Sequence, residues 1–96
     1  MHAHINVWRA NDAGSGGSDR LARQVAAHLR QQPGFHSYTF VKTGDAEFVA
    51  ITLFETNAQL HAALDSLGED IRENLDHVTE GRPEHHAGDV LVHEMV

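Results

Sequence analysis

The chain has 96 residues, no cysteine and a formal charge of −7 at pH 7 with its nine histidines neutral. This length is typical of one domain, and the lack of cysteine excludes disulfides, thiolate nucleophiles and Cys-ligated metal centres. The negative charge argues against nucleic acid and anionic membrane surfaces as partners, because both attract clustered Lys and Arg. The chain has neither a signal-peptide pattern at its start nor an apolar run of the roughly 20 residues that span a bilayer, so we expect a cytoplasmic protein.

Hydrophobic periods divide the chain into strand-like and helix-like segments. In chain order they predict a strand (His2–Arg9), a flexible loop (Asn11–Ser18), a helix (Ser18–Gln32), two strands (Phe35–Thr43 and Phe48–Glu55), a long helix (Asn57–Thr79) and a last strand (Ala87–Val96).

Turn and capping residues support the boundaries in the first half. Ser18 or Asp19 can cap the first helix. Pro33-Gly34 predicts its end, because the residue before proline disfavours the helical region and Gly34 can take a positive φ. The run Thr43–Ala46 predicts a hairpin turn between the second and third strands.

The second helix has a cap at Thr56 or Asn57 and an apolar stripe that continues straight through Gly68. A glycine costs about 1 kcal/mol inside a helix, so a bend or a brief break at Gly68 stays open. The run Gly81–Pro83 predicts the end of this helical segment, before the last strand.

The resulting order, β-α-β-β-α-β, predicts an α+β, ferredoxin-like fold. Such a fold has a four-stranded antiparallel sheet with two helices on one face. The other face of the sheet needs a cover, and a second copy of the chain would provide it. We therefore expect a homodimer.

Three short stretches resemble the antibiotic biosynthesis monooxygenase (ABM) family of dimeric α+β barrel proteins. They are Pro33-Gly34-Phe35-x-x-Tyr38, Leu53-Phe54-Glu55-Thr56 and Gly88-x-Val90-Leu91-Val92-His93. The resemblance implies one ABM-like domain over residues 1–96, a barrel formed across the dimer, and a pocket between sheet and helices. It also implies a monooxygenase that acts on a phenolic, quinol or polyketide-type aromatic substrate without metal, flavin or other cofactor.

Candidate residues for this chemistry lie on the predicted strands and the second helix. His36 and Tyr38 are predicted to share a strand face and to handle protons, since histidine titrates near neutral pH. Asn6, Trp8 and Asn74 are predicted to bind and orient the substrate in an otherwise apolar pocket. His4 shares the strand face of Asn6 and Trp8, but the histidines show no metal-ligand spacing, and we expect no metal site.

Two alternatives stay open. Haem-degrading members of the superfamily use a first-strand Asn and a second-helix His, and Asn6 and His77 stand at comparable places, although Leu67 occupies the position of their Trp. The other alternative is a non-catalytic small-molecule-binding or structural dimer. A cavity filled by Trp8, Phe40 and Phe54 would favour that dimer, whereas an open cavity lined by Asn6 and Tyr38 would favour a ligand.

Overall fold

The chain forms four strands and three helices in a computed structural model that describes residues 1–11 and 18–96. In order they are β1 (His2–Ala10), α1 (Ser18–Leu29), β2 (Phe35–Lys42), β3 (Glu47–Phe54), α2 (Asn57–Asp65), α3 (Glu69–Val78) and β4 (Thr79–Asp89). Most of the predicted flexible loop, residues 12–17, lies outside the described residues.

The strands form one antiparallel sheet in the order β2-β3-β1-β4. This arrangement confirms the ferredoxin-like α+β fold. β3 and β1 are its central strands. The helices pack on one face of the sheet, whereas Ile5 and Val41 on the opposite face remain 37% and 38% exposed.

Two apolar clusters form the core between the sheet and the helices. One contains Trp8, Ala10, Leu21, Phe48 and Val78, and the other contains Val25, Leu29, Phe54, Leu60 and Ala63. Every core residue of β1 and β3 in these clusters has an even number, as the two-residue period of a strand requires. This period turns one side of β1, the side of His4, Asn6 and Trp8, toward the helices.

Several local predictions are confirmed at the ends of the elements. Gly34 follows α1 with a φ of +83°, a conformation that glycine adopts without strain. The Thr56 hydroxyl caps α2 by accepting a hydrogen bond from the Gln59 N–H at 3.1 Å. The hairpin turn joins Lys42 to Glu47 as the sequence indicates.

The long second helix is interrupted before Gly68, which is the break that the sequence left open. Gly68 has an extended backbone and precedes α3 as its N-cap. Arg72 stabilises the break, because its side chain donates hydrogen bonds to the carbonyls of Leu64, Asp65 and Leu67 at 3.0–3.3 Å. These bonds satisfy carbonyls that the end of α2 leaves without helical partners.

The last strand lies earlier than predicted. β4 runs over Thr79–Asp89, and Val90–Val96, which alternates like a strand, has no strand assignment. Gly81 and Pro83 lie inside β4, where the pairing with β1 shifts register and Gly81 has a φ of +73°. An edge strand tolerates such a bulge and a proline, because one of its sides makes no ladder hydrogen bonds.

Candidate active site

A cavity of about 80 Å³ lies between the sheet and the helices, as the family resemblance implies. Most of its wall is apolar, and its polar side chains all come from the strands. The lining residues are His4, Asn6, Trp8, Ala22, Val25, Leu29, Tyr38, Phe40, Ala50, Thr52, Leu64, Leu67 and Leu75. Phe54 is fully buried in the core and does not fill this space.

Asn6 is the unsatisfied polar group of this wall. Its side-chain oxygen Oδ1 is buried and has no hydrogen-bond partner. An orphaned buried acceptor costs about 1–3 kcal/mol of folding free energy, so proteins rarely keep one without a use. Because the oxygen itself is closed to solvent, a ligand hydroxyl in the cavity would supply the missing donor only after the Asn6 side chain rotates toward the space that it lines.

His4 stands two residues from Asn6 on the same strand face. Its pKa is lowered from 6.5, first by burial and then by the charges of His85 on β4 and His61 on α2. The imidazole is therefore neutral at pH 7 and has a free nitrogen lone pair. A neutral imidazole in an apolar cavity can act as a general base.

Tyr38 lines the cavity from β2, as predicted. Burial raises the pKa of its phenol to about 12, so the hydroxyl keeps its proton at any physiological pH. Tyr38 can thus donate a hydrogen bond to a developing oxyanion, but it cannot serve as a base.

Trp8 lines the cavity and belongs to a group of three packed aromatic rings. Its ring stacks on Phe48 with centroids 5.3 Å apart, and it meets Phe40 at 5.9 Å. Trp8 is 6% exposed and belongs to the core as well as to the cavity wall. Such flat apolar surfaces suit the face of an aromatic ligand.

His36 does not share a strand face with Tyr38, and this prediction of orientation is wrong. The pairing of β2 with β3 shifts register between Phe35 and Ser37, which places one extra residue, His36, at a bulge. Phe35 and Tyr38 consequently both pack against the same core cluster. The His36 side chain is 40% exposed, and its Nε2 lies 2.6 Å from Glu55 Oε2. This contact lowers the pKa of the Glu55 carboxyl.

Asn74 is exposed on α3 and does not line the cavity, so its predicted position facing the sheet is wrong. The residues of α3 that face inward are Ile71, Leu75 and Val78, and the break before Gly68 gives this helix a start of its own. The apolar stripe therefore continues across the break, and Asn74 lies outside it.

The residues also do not fit haem. His77 is exposed and lines neither of the two spaces next to Asn6; its backbone carbonyl accepts a hydrogen bond from the Asn11 amide at 2.6 Å. A cavity of about 80 Å³ is also far below the 300–1,000 Å³ of typical cofactor and drug-sized sites. Within residues 1–11 and 18–96, no three His, Asp or Glu side chains are grouped so that they could hold a metal ion.

An open groove of about 360 Å³ adjoins the cavity between α3 and β4. Asn6, Trp8 and Leu75 line both spaces. The groove has a more polar wall, completed by Arg72, Asp76, Thr79, Pro83 and His85. The cavity and the groove are therefore neighbours that share these three side chains.

The residue that the sequence did not single out for chemistry is His4. The signal was present, because His4 alternates with Asn6 and Trp8 along β1. The surroundings of His4 could not be predicted, because its neighbours His85 and His61 lie 81 and 57 residues further along the chain. Burial and these neighbours distinguish His4 from the exposed histidines.

Solved structures with the same fold include known and proposed oxygenases. SnoaB, a cofactor-independent oxygenase from Streptomyces nogalater, superposes with a TM-score of 0.84 at 18% identity, over 96% of this chain and 94% of its own. A proposed antibiotic biosynthesis monooxygenase from Nitrosomonas europaea has a TM-score of 0.84 at 12% identity, over 96% and 100% of the two chains. One from Deinococcus radiodurans has a TM-score of 0.82 at 15% identity, over 100% and 98%.

No protein-family model matches the chain, and no curated protein matches it in sequence. None of the three helices in the described part of the chain has the length and apolar character needed to cross a membrane. At identities of 9–20%, the structural likeness establishes the fold. The chain shares over nearly its whole length the α+β fold of the antibiotic biosynthesis monooxygenases, which confirms the resemblance of its sequence motifs.

Proposed function

We propose that this protein is a cofactor-independent monooxygenase that acts on a small phenolic or quinol-type aromatic substrate. The observation that carries the proposal is the set of Asn6, His4 and Tyr38 around one apolar cavity, in which Asn6 Oδ1 is buried without a hydrogen-bond partner. An acceptor, a neutral base and a protonated donor around an apolar space match a molecule with a flat ring and acidic hydroxyl or methylene hydrogens.

Each polar group has a distinct role in this reaction. His4 removes a proton from the substrate, and the resulting anion becomes electron-rich enough to reduce oxygen directly. Tyr38 donates a hydrogen bond to the anionic oxygen, while Asn6 Oδ1 accepts one from a substrate hydroxyl. For an anthrone-type methylene, one atom of O₂ becomes the new carbonyl oxygen, and the other leaves as water with the two methylene hydrogens.

The volumes constrain how a substrate would bind. The partly open cavity of about 80 Å³ has room for part of a small ring, and the adjoining groove of about 360 Å³ has room for the remainder. We therefore place the reacting carbon beside His4 and Asn6, with the rest of the molecule directed past Leu75 into the groove.

We also propose that the protein is a homodimer. The face of the sheet opposite the helices carries Ile5, Val7, Val41, Val49 and Ile51. Ile5 and Val41 are more than one-third exposed. A contiguous apolar sheet face is costly to leave in water. A second copy that covers this face would leave the helix-side cavity free. Light scattering after size exclusion tests this: a mass of twice 10.6 kDa supports it, and a monomer rejects it.

Oxygen uptake with anthrone and with a hydroquinone, corrected for autoxidation in buffer, tests the activity. We expect turnover by the wild-type chain and a loss of about 100-fold or more in His4→Gln, because general bases contribute 10²–10⁴-fold. His36→Gln is the matched comparison, since His36 is exposed and lies outside the cavity. If His36→Gln loses activity and His4→Gln keeps it, the assignment of the base is wrong.

Uptake indistinguishable from buffer with both probes would reject the oxygenase function. In that case, binding of the same probes measured by calorimetry would identify a non-catalytic small-molecule-binding protein.

A further inference from the structure

A pair of histidines connects the cavity to the groove. His4 lies on β1 and His85 lies on β4, with ring centroids 5.3 Å apart and planes inclined at 36°. The β1–β4 register places His85 directly opposite Asn6, so all three side chains occupy the same side of the sheet. His4 lines the cavity, His85 lines the groove, and Asn6 lines both.

The surroundings of His4 disfavour its protonated form. The described groups whose charges act on it are His85 from β4 and His61 from α2, and both repel an imidazolium. The neighbouring strand β3 presents Thr52 opposite His4, and α1 contributes only Ala22, Val25 and Leu29 to the cavity. Once His4 has taken a proton from the substrate, these surroundings favour the release of a proton from its ring.

His85 is exposed and offers a path to water. The ring centroids are 5.3 Å apart and no hydrogen bond joins the two imidazoles directly, so a proton would pass between their nitrogens through one water molecule. We propose that His85 exchanges protons with His4 and connects it to solvent through the groove, so that the two imidazoles act as a proton relay. This inference rests on the proposed function for its catalytic use.

The relay conserves atoms and charge. His4 takes the substrate proton on its bare ring nitrogen and gives the proton of its other nitrogen to His85, which restores a neutral His4. A proton is consumed when the second oxygen atom leaves as water. This proton travels from solvent through His85 to His4 and on to the departing oxygen. His85 lines the groove but acts on the reacting atoms only through His4, and is thus a relay residue.

The test measures exchange of the His4 ring N–H with water by NMR magnetisation transfer, which needs no substrate. We expect His85→Gln to slow this exchange at least about 10-fold, and added free imidazole to restore it, as a replaced proton carrier does. The titration midpoint of His4 should also rise toward 6.5, because one repelling charge is gone.

His86→Gln is the matched control. His86 is the next residue, points to the other side of β4 and lies 3.8 Å from Glu84. Exchange and the His4 midpoint should match wild type in this variant. Unchanged exchange in His85→Gln, or an equal loss in His86→Gln, would overturn the relay even if the chain oxidises anthrone.

Activity separates the relay from the proposed function. If wild type consumes oxygen, His85→Gln should lose turnover at low buffer concentration and regain it with imidazole. If wild type consumes none, the proposed function fails, while the exchange measurement still decides whether His85 carries protons to and from His4.

Discussion

Replacing Asn6 by leucine should separate stability from function. Leucine has nearly the same shape as asparagine and removes the buried Oδ1 that has no partner. Relief of an orphaned acceptor is worth about 1–3 kcal/mol, and apolar contacts in the cavity wall would add to it. We expect Asn6→Leu to be about 1–2 kcal/mol more stable than wild type in urea denaturation. For a domain of this size, that corresponds to a rise in Tm of roughly 4–8 °C per kcal/mol.

The same substitution should reduce oxygen uptake at least about 10-fold, because the substrate hydroxyl loses its acceptor. A more stable but less active variant is the signature of a polar group that is kept for a ligand. A purely structural asparagine would give the opposite result, a loss of stability.

Gln59→Met provides a matched control. Gln59 Oε1 is also buried without a partner, but this side chain packs beneath Gly34 and does not line the cavity. Its replacement should raise stability by a similar amount and leave oxygen uptake unchanged. The reasoning is refuted if Asn6→Leu is less stable than wild type, or if it keeps full activity while Gln59→Met loses it.

Three further outcomes are expected. Because the pKa of His4 lies below 6.5, oxygen uptake should decline only below this pH. The free energy of unfolding should also fall as the pH is lowered below 6.5, since the unfolded chain binds the proton more readily than the folded chain. Urea denaturation at two pH values would measure this fall. Tyr38→Phe should lower kcat/KM about 10- to 100-fold without moving the pH profile, because the pKa of about 12 keeps Tyr38 protonated throughout; a shifted profile would contradict this role. Gly34→Ala should lower the free energy of unfolding by at least about 1–2 kcal/mol, owing to the φ of +83° and an added Cβ that would lie only 2.1 Å from Gln59 Oε1. Adding Gln59→Ala should remove the clash with this oxygen but not the cost of the positive φ, and a double-mutant cycle would measure the difference.

Local signals in the sequence determined the order and type of most elements. The period of two in β1 and the apolar stripe of α1 arise from the geometry of a single segment, and they can be recognised without knowing its neighbours. Gly34 and Thr56 act on backbone groups within a few residues of themselves. The fold class follows from the order of these segments, whereas the cavity between sheet and helices was implied by the family resemblance.

The tertiary structure decided which polar side chains meet there. β4 is recognisable as a strand only through its pairing with β1, since Gly81 and Pro83 read locally as the end of a helix. The bulge at His36 depends on register with β3, and it turns this histidine away from Tyr38. The neutral state of His4 and the orphaned oxygen of Asn6 depend on burial and on residues far along the chain. A sequence specifies its periods residue by residue, but the partner, protonation state and solvent exposure of a side chain are set by whatever the folded chain packs against it.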